Sequence, residues 1–324
     1  MLDKKVIGID LGGTTAKIGI LSQSGDILSK WELSTDISEE GTKIVPNIIQ
    51  SIKAYLDSEK LSSEDFLGIG MGTPGTVNRK NGTVIGAFNL NWKTLQPIRE
   101  QFESSTGIPF FLDNDANVAA LGEQWKGAGN NETNVSFITL GTGVGGGLVS
   151  DGTLIHGAVD AAGEVGHITV EPGGYECTCG KKGCLEQYAS ATGIVRLARD
   201  LAKEYSEESD LKTLVLSNDP LDSKAIFDAA KAGDTYANFV VDRFAYYLGL
   251  AMGNIANILN PSTIVLGGGV SKAGEFLVEK VSKVVEEFTF PTIRSVTKIK
   301  IAELENDAGM IGAASLVINE LENN

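Results

Sequence analysis

Two stretches far apart in this chain repeat one pattern. Ile7-Gly8-Ile9-Asp10-Leu11-Gly12-Gly13-Thr14 and Ser136-Phe137-Ile138-Thr139-Leu140-Gly141-Thr142-Gly143 each carry a strand that ends in Leu-Gly and a turn of small residues. Each turn then runs into a second strand. Such a repeat predicts a duplicated α/β fold, two similar halves with a cleft between them. No linker rich in Pro, Ser or Gly separates the halves, so the repeat alone places a boundary near residue 118. The expected division is a small α/β domain over 1–118, a large α/β domain over 119–306, and a C-terminal helix over about 307–324 that packs back on the first.

The apolar pattern fills in the elements. Val6 to Asp10, Ala16 to Ser22 and Ile27 to Leu33 read as consecutive strands, and Glu40 to Leu56 as a helix with Ile44, Ile48, Ile49, Ile52 and Tyr55 on one face. Phe66 to Gly70 and Ile108 to Leu112 are short strands, and Asp113-Asn114-Asp115 caps a helix through Ala116, Ala119, Ala120 and Leu121. In the second half, Val135 to Leu140 and Gly145 to Val149 flank a glycine turn. Thr192 to Asn260 is helical in pattern. Ser262 to Leu266 is a buried-type strand opening onto Gly267-Gly268-Gly269, Thr297 to Ala302 a last strand, and Ala308 to Leu321 a last helix.

Composition narrows the partners. A formal net charge of −15 disfavours a nucleic-acid backbone or an anionic membrane surface, because both would repel the chain. No apolar run reaches the roughly 18 residues of a membrane-spanning helix. The N-terminal Met1-Leu2-Asp3-Lys4-Lys5 lacks the apolar core of a signal peptide, so a cytoplasmic location is expected. The three cysteines, Cys177, Cys179 and Cys184, are an odd and tightly clustered set, which reads as metal ligands in a reducing compartment.

Three glycine turns at strand ends suit phosphate. Asp10-Leu11-Gly12-Gly13-Thr14-Thr15-Ala16-Lys17 joins an acid, two glycines and two hydroxyls, with Asp10 placed to hold Mg²⁺ through water. Gly141-Thr142-Gly143 offers the same from the second half, and Gly267, Gly268 and Gly269 let a flat adenosine lie against backbone. Any one of them alone is more often a plain hairpin turn; three together are not. None matches a Walker A loop or a dinucleotide fingerprint.

His167, Cys177, Cys179 and Cys184 form a Cys₃His set with glycines supplying the turns between ligands. That is a closed tetrahedral zinc site, structural because no position is left for water. His156 is given no role. Among the acids, Asp113 and Asp115 point in different directions if a helix starts between them, so only one faces a substrate. A carboxylate there is suited to take the proton a sugar hydroxyl loses as phosphate is transferred. Glu164 and Glu186 flank the metal set and suit bidentate contact with hydroxyl pairs.

The Asp10-to-Thr14 turn, the run from Leu140 to Gly147, Gly163-Glu164-Val165-Gly166-His167 and the Cys-x-Cys-Gly-x-x-Gly-Cys-Leu-Glu segment resemble the ROK family of repressors and sugar kinases. The likeness runs from about residue 5 to Asn306-Asp307-Ala308-Gly309. Gly-Met-Gly-Thr-Pro-Gly at 70–75, Asn89-Leu90-Asn91-Trp92 and Leu266 to Ser271 are most similar to its bacterial glucokinases. The resemblance implies an actin-like ATPase (ribonuclease H-like) fold that transfers the γ-phosphate of ATP to the 6-hydroxyl of glucose. It implies Asp115 as the base and Asn114 on a neighbouring hydroxyl. Glu164, His167 and Glu186 would lie near the anomeric end, with Gly75 and Asn89 as weaker sugar contacts. His167 would serve zinc with one ring nitrogen and sugar with the other. A homodimer or homotetramer is implied as well. The rival readings are an N-acetylmannosamine or N-acetylglucosamine kinase, a sugar-sensing repressor, for which nine residues before Asp10 leave no DNA reader, and a zinc-stabilised interaction module without activity.

Overall fold

The computed structural model describes residues 4–217 and 219–322. The strands run, in chain order, β1 (Lys5–Leu11), β2 (Thr15–Leu21), β3 (Ile27–Ser34), β4 (Phe66–Thr73), β5 (Thr76–Asn78), β6 (Thr83–Ile85), β7 (Phe110–Asn114), β8 (Val135–Leu140), β9 (Val144–Ser150), β10 (Thr153–Leu154), β11 (Thr263–Gly267) and β12 (Lys298–Ile301). The α-helices are α1 (Ile44–Glu59), α2 (Ile98–Thr106), α3 (Asp115–Lys126), α4 (Glu186–Ala189), α5 (Ala191–Leu201), α6 (Asp210–Leu216), α7 (Ser223–Lys231), α8 (Thr235–Leu259), α9 (Glu275–Phe288), α10 (Pro291–Arg294) and α11 (Ala308–Glu322).

Two five-stranded sheets have the orders β3-β2-β1-β4-β7 and β10-β9-β8-β11-β12. In each, an antiparallel opening passes into parallel strands, and position for position the two orders are the same. The duplication seen in the sequence is therefore a duplication of sheet topology. The third strand of the second half, β10, was not expected, since two residues are too few to carry an alternation. The small β5–β6 hairpin and α2 were likewise unforeseen.

The chain divides into two compact units. One holds the residues up to Thr133, Gly147–Gly163 and those from Leu304 onward; the other holds Asn134–Gly146 and Glu164–Glu303. The expected boundary near 118 falls inside α3, a continuous helix from Asp115 to Lys126, so the division lies beyond that helix. The expected C-terminal helix is α11; the last two residues of its expected span, 323 and 324, lie outside the described residues.

In the first unit both faces of the sheet are covered. Val6, Ile7, Ile9 and Leu11 of β1 are all buried, as a near-continuous apolar strand requires. Ile44, Ile48, Ile49 and Ile52 of α1 pack with Ile7, Ile9, Ile18 and Phe102 on one side. Met310, Ile311, Ala314 and Val317 of α11 pack with Val6 and Leu21 on the other. Helix α1 starts four residues later than expected because Gly41, at φ 70°, turns the chain just before it. In the second unit, β8, β11 and β12 run parallel with β11 central and wholly buried, while the long α8 packs against α7 and α9.

Helix α11 reaches α3 only because neither bears a side chain where they touch. A Cβ on Gly312 would land on the carbonyl oxygen of Val118, and one on Gly122 on that of Ala308. Backbone on both sides cannot yield as a rotamer does, so Gly312→Ala should cost at least about 3 kcal/mol. Urea unfolding checks this. A variant that kept the wild-type midpoint would mean that the helices are free to part at that point.

Candidate functional site

The first unit presents its acids at two strand ends. Strand β1 ends beside the Gly12-Gly13-Thr14 turn, and Asp10 stands opposite Lys17 on β2. The Gly12 N–H donates to the Thr15 carbonyl at 2.9 Å, so this amide closes the turn. Thr15 opens β2. Lys17, expected among the phosphate contacts, instead donates from Nζ to the Asn306 carbonyl at 3.0 Å. Asn89 packs on the turn: a Cβ on Gly13 would come within 3.2 Å of the Asn89 carbonyl oxygen. Gly75, at φ 97°, closes against Ala87 of the same loop.

Burial pushes the Asp10 carboxyl up to about 6; the Lys17 charge draws it down and that of Asp115 pushes it up again. A Cβ on Gly309 would stand 2.6 Å from that carboxylate, which places Asp10 over the first turn of α11. The amide end of a helix favours a negative charge.

Strand β7 runs directly into α3 and carries Asp113-Asn114-Asp115 across the junction. Asp113 is 2% exposed. Its Oδ1 accepts from the Asn114 N–H and from Asn117 Nδ2, each at 2.7 Å. Its Oδ2 meets His156 Nε2 at 2.6 Å and Arg79 Nε at 3.3 Å. Asp113 is thus wholly engaged within the protein. His156, to which the sequence suggested no role, is half of that engagement and is largely buried. Neither His156 nor Arg79 carries a motif; only folding brings them to Asp113.

Asn114 is the N-cap, its Oδ1 accepting from Ala116 N–H at 2.9 Å. Asp115 Oδ1 accepts from the same N–H at 2.9 Å. Burial raises the Asp115 carboxyl above its ordinary value, opposed by the Ala116 N–H and by the Asn114 side chain. Of the two aspartates, the one not engaged by Arg79 and His156 is Asp115.

The second unit brings its own set together. The Gly141 N–H donates to the Gly143 carbonyl at 3.0 Å, closing the turn as Gly12 does in the first half. This turn rests on the start of α5: Ala191 N–H donates to the Gly141 carbonyl and Thr192 Oγ1 to the Thr142 carbonyl, each at 2.8 Å. A Cβ on Gly141 would meet nothing within 4 Å, so that face is open. At Gly143 a Cβ would land on the Glu186 carboxylate. Glu186 Oε2 accepts from Val144 N–H at 3.2 Å, so the acid expected on sugar also holds the glycine loop. Of the third turn, Gly267 packs on Phe137 and Gly268, at φ 82°, on the Leu140 backbone; only Gly269 faces open space.

The metal set converges. One donor atom from each of His167, Cys177, Cys179 and Cys184 lies within 4.8 Å of the others. Cys177 Sγ stands 3.6 Å from His167 Nδ1, and Cys179 Sγ 3.6 Å from Cys184 Sγ. Those edges are close to what a tetrahedron with bonds of about 2.0–2.3 Å requires. Gly183, at φ 77° and tight on the Glu171 backbone, turns the chain into Cys184. Burial pushes the Cys184 thiol up to about 12, a cost that a bound cation would remove. The other ring nitrogen of His167, Nε2, lies 3.8 Å from Glu164 Oε2. The two sides of the ring therefore face different partners, the cysteines and Glu164.

With this geometry in hand, the chain can be set beside known proteins. The ROK family profile matches residues 6–320. A glucokinase of Halalkalibacterium halodurans is 46% identical, over 98% of this chain and 96% of its own. A ROK hexokinase from Thermus thermophilus superposes with a TM-score of 0.84 at 31% identity, covering 99% of this chain and all of the other. A ROK glucokinase from Streptomyces griseus, in complex with glucose and AMPPNP, superposes with a TM-score of 0.73 at 34% identity, over 97% and 99%.

The two aspartates of the β7–α3 junction should separate under mutation. Asn at 113 would turn an amide donor toward the buried Arg79 and His156 contacts and remove the carboxylate they share; Asp113→Asn should cost about 3 kcal/mol. Asp115→Asn removes a buried charge and keeps the Oδ1 acceptor, so its urea midpoint should not fall. Equal losses in the two variants would show that Asp115, like Asp113, is part of the scaffold.

Proposed function

We propose that this chain, which belongs to the ROK family and has its actin-like ATPase fold, is an ATP-dependent glucokinase. It passes the γ-phosphoryl group of ATP to the 6-hydroxyl of glucose and yields glucose 6-phosphate and ADP. The likeness to the Halalkalibacterium halodurans glucokinase, 46% over nearly the full length of both chains, carries the reading. The acids, glycine turns and Cys₃His set support it.

The chemistry follows from the atoms. As the glucose 6-oxygen bonds to phosphorus and the bond to ADP breaks, its proton must leave. Asp115 takes it. Oδ1 is held by the Ala116 N–H, which leaves Oδ2 as the acceptor. With the Asn114 carbonyl oxygen capping α3, its amide NH₂ is the end that reaches a neighbouring sugar hydroxyl. Glu164 and Glu186 accept from hydroxyls nearer the anomeric carbon, His167 Nε2 donates to one, and Asn89 and Gly75 are assigned weaker sugar contacts. Gly12 and Gly141 close their turns, so the phosphate donors are Gly13, Thr14, Thr142 and Gly143, with the Thr15 hydroxyl beside them. Gly269 gives the nucleoside its open backbone face; Gly267 and Gly268 build the turn beneath it.

Asp10 would hold Mg²⁺ through water, and its raised carboxyl fits a place where a cation is the natural partner. Magnesium there would neutralise phosphate charge. His167, Cys177, Cys179 and Cys184 would hold zinc as a structural ion that fixes the loop bearing Glu186 and orients His167. No helix among the described residues is long and apolar enough to cross a membrane. A cytoplasmic homodimer or homotetramer completes the proposal.

A coupled assay with ATP over a hexose panel tests the substrate. Glucose should be the best, and N-acetylmannosamine or N-acetylglucosamine in its place would reassign the specificity. Asp115→Asn should lower turnover about 10²–10⁴-fold with glucose still bound. The base must be ionised, and burial raises its carboxyl, so kcat/KM should fall on acidification with a midpoint above the ordinary carboxylate value of 3.8. That acid limb should vanish in the variant. Wild-type turnover in the variant would remove Asp115 from the chemistry.

Metal removal gives the other test. Cys179→Ser should yield a folded protein with less than one zinc per chain by elemental analysis. Its glucose affinity, read by calorimetry, should drop severely while weak ATP binding persists. Normal sugar affinity without metal would make zinc a bystander.

A further inference from the structure

We propose that Arg196 is a positioning residue that couples nucleotide to sugar, because through the buried Gln187 it aims the Glu186 carboxylate. The proposal rests on reading Glu186 as a sugar ligand and Gly141 to Gly143 as a phosphate loop.

Gln187 is 8% exposed, and both ends of its amide are engaged. Its Oε1 accepts from Arg196 Nη1 at 2.5 Å, and its Nε2 faces Glu186 Oε1 at 3.4 Å. The other oxygen of Glu186 accepts from Val144 N–H, which belongs to the glycine loop. A continuous path of hydrogen bonds thus leads from the guanidinium on α5 to the phosphate loop, with the sugar acid at its centre. The amide of Gln187 cannot rotate without losing its charged partner, so Arg196 also fixes which end of it Glu186 meets.

Arg196 grips the metal loop by a second contact. Its guanidinium lies 5.0 Å over the ring of Tyr175, and the Tyr175 hydroxyl donates to Asp200, one turn along α5, at 2.5 Å. Tyr175 stacks in turn on Tyr188, ring centres 4.8 Å apart. Helix α5 therefore holds the loop on both sides of the Glu186 segment. Lysine has no planar fork with which to bond Gln187 and cover a ring at once.

The same guanidinium lines a cavity of about 540 Å³ together with Thr192, Arg199, Asp200, Leu221 and Asp222. Thr192 belongs to both the cavity and the glycine turn, through its bond to the Thr142 carbonyl. A nucleotide with its phosphates on that turn extends from a wall the cavity shares. A polar or anionic group of the nucleotide that engages Arg196 orders the guanidinium, and Gln187 and Glu186 with it. Glucose requires the same ordering. Whichever ligand binds first meets that cost, and the second binds more tightly.

The test is calorimetry of glucose binding to the zinc-loaded protein, with and without a non-hydrolysable ATP analogue. The wild type, Arg196→Lys, Arg196→Met and Gln187→Met are compared, with zinc content and melting temperature read on each. In the wild type the analogue should tighten glucose. Arg196→Met should weaken glucose about tenfold in the presence of analogue, the weight of one charge-assisted hydrogen bond. It should also abolish the mutual effect, with KM for glucose raised and kcat at saturation near wild type. Arg196→Lys should keep nucleotide affinity but not the coupling. A variant that combines Arg196→Met with Gln187→Met should be no worse than Arg196→Met alone, since both residues serve one path. Coupling that survives in Arg196→Met, or equal losses in kcat and glucose affinity with a lowered melting point, would overturn the proposal and leave Arg196 a scaffold residue. A wild type that binds no glucose at all would instead sink the reading of the sugar site beneath it.

Discussion

The Asp113 carboxylate, buried at the end of β7, takes the Asn114 N–H, the Asn117 amide, His156 and Arg79, and so decides where α3 begins. A helix that started one residue earlier would lose the strand register that pairs Asp113 with Gly72 of β4. One that started later would leave Ala116 N–H without its cap. With the start fixed, Asp115 stands in the first turn with Oδ1 tied to the Ala116 N–H. The carboxylate proposed as the base is held by hydrogen bonds and packing that belong to its neighbours. The arrangement reaches further than the junction, because Arg79 also pairs with Glu320 of α11 and α11 presses on α3 through glycine.

The second unit solves the matching problem with a loop in place of a strand end. Residues 169–184 form no regular strand or helix, only the isolated bridges Thr169 with Cys184 and Glu176 with Lys182 and a set of turn hydrogen bonds such as Cys177 N–H to the Lys181 carbonyl, in a segment rich in glycine. Three other anchors hold it: the Cys₃His set, the Tyr175 and Tyr188 stack, and Glu171, whose carboxylate accepts from Tyr247 of α8 at 2.9 Å. These anchors fix Glu186 two residues after the last cysteine. A metal ion held by the Cys₃His set, as proposed, would therefore act on sugar affinity without touching phosphate, by determining where an acid lies.

Much of this was legible in the sequence, and the reasons are specific. Strand pairs in the first half were readable because Val6 to Leu11 is apolar on both faces and the glycine turn is abrupt. The Cys₃His set was readable because all three cysteines lie within eight residues of one another in the chain. The role of Asp113 as scaffold could be foreseen only as an alternative to Asp115, since its partners His156 and Arg79 are distant in sequence. Gln187 and Arg196 gave no signal at all: a glutamine after a glutamate, and an arginine in a helix, are unremarkable until the fold brings them together. The unit boundary was misplaced for a related reason. A repeat marks where two similar halves begin, whereas compactness depends on which segments stay with which sheet, and α3 and Gly147–Gly163 stay with the first.

The acids of the first unit also show what such a site costs. Burial raises the carboxyls of Asp10 and Asp115, the Asp115 charge raises that of Asp10 further, and Asp113 adds a third charge at the same strand ends. Each aspartate is answered differently. Asp113 has Arg79 and His156; Asp10 has the first turn of α11 and the field of Lys17 on the facing strand. Asp115 has a backbone amide and the Asn114 side chain, neither of which carries a charge. Asp115 thus has no charged partner, and its raised carboxyl fits the proposed base, which must be able to take a proton at the pH where the enzyme works. A full ion pair at Asp115 would make the carboxylate a poorer base, so the partial compensation there agrees with the catalytic role proposed for it.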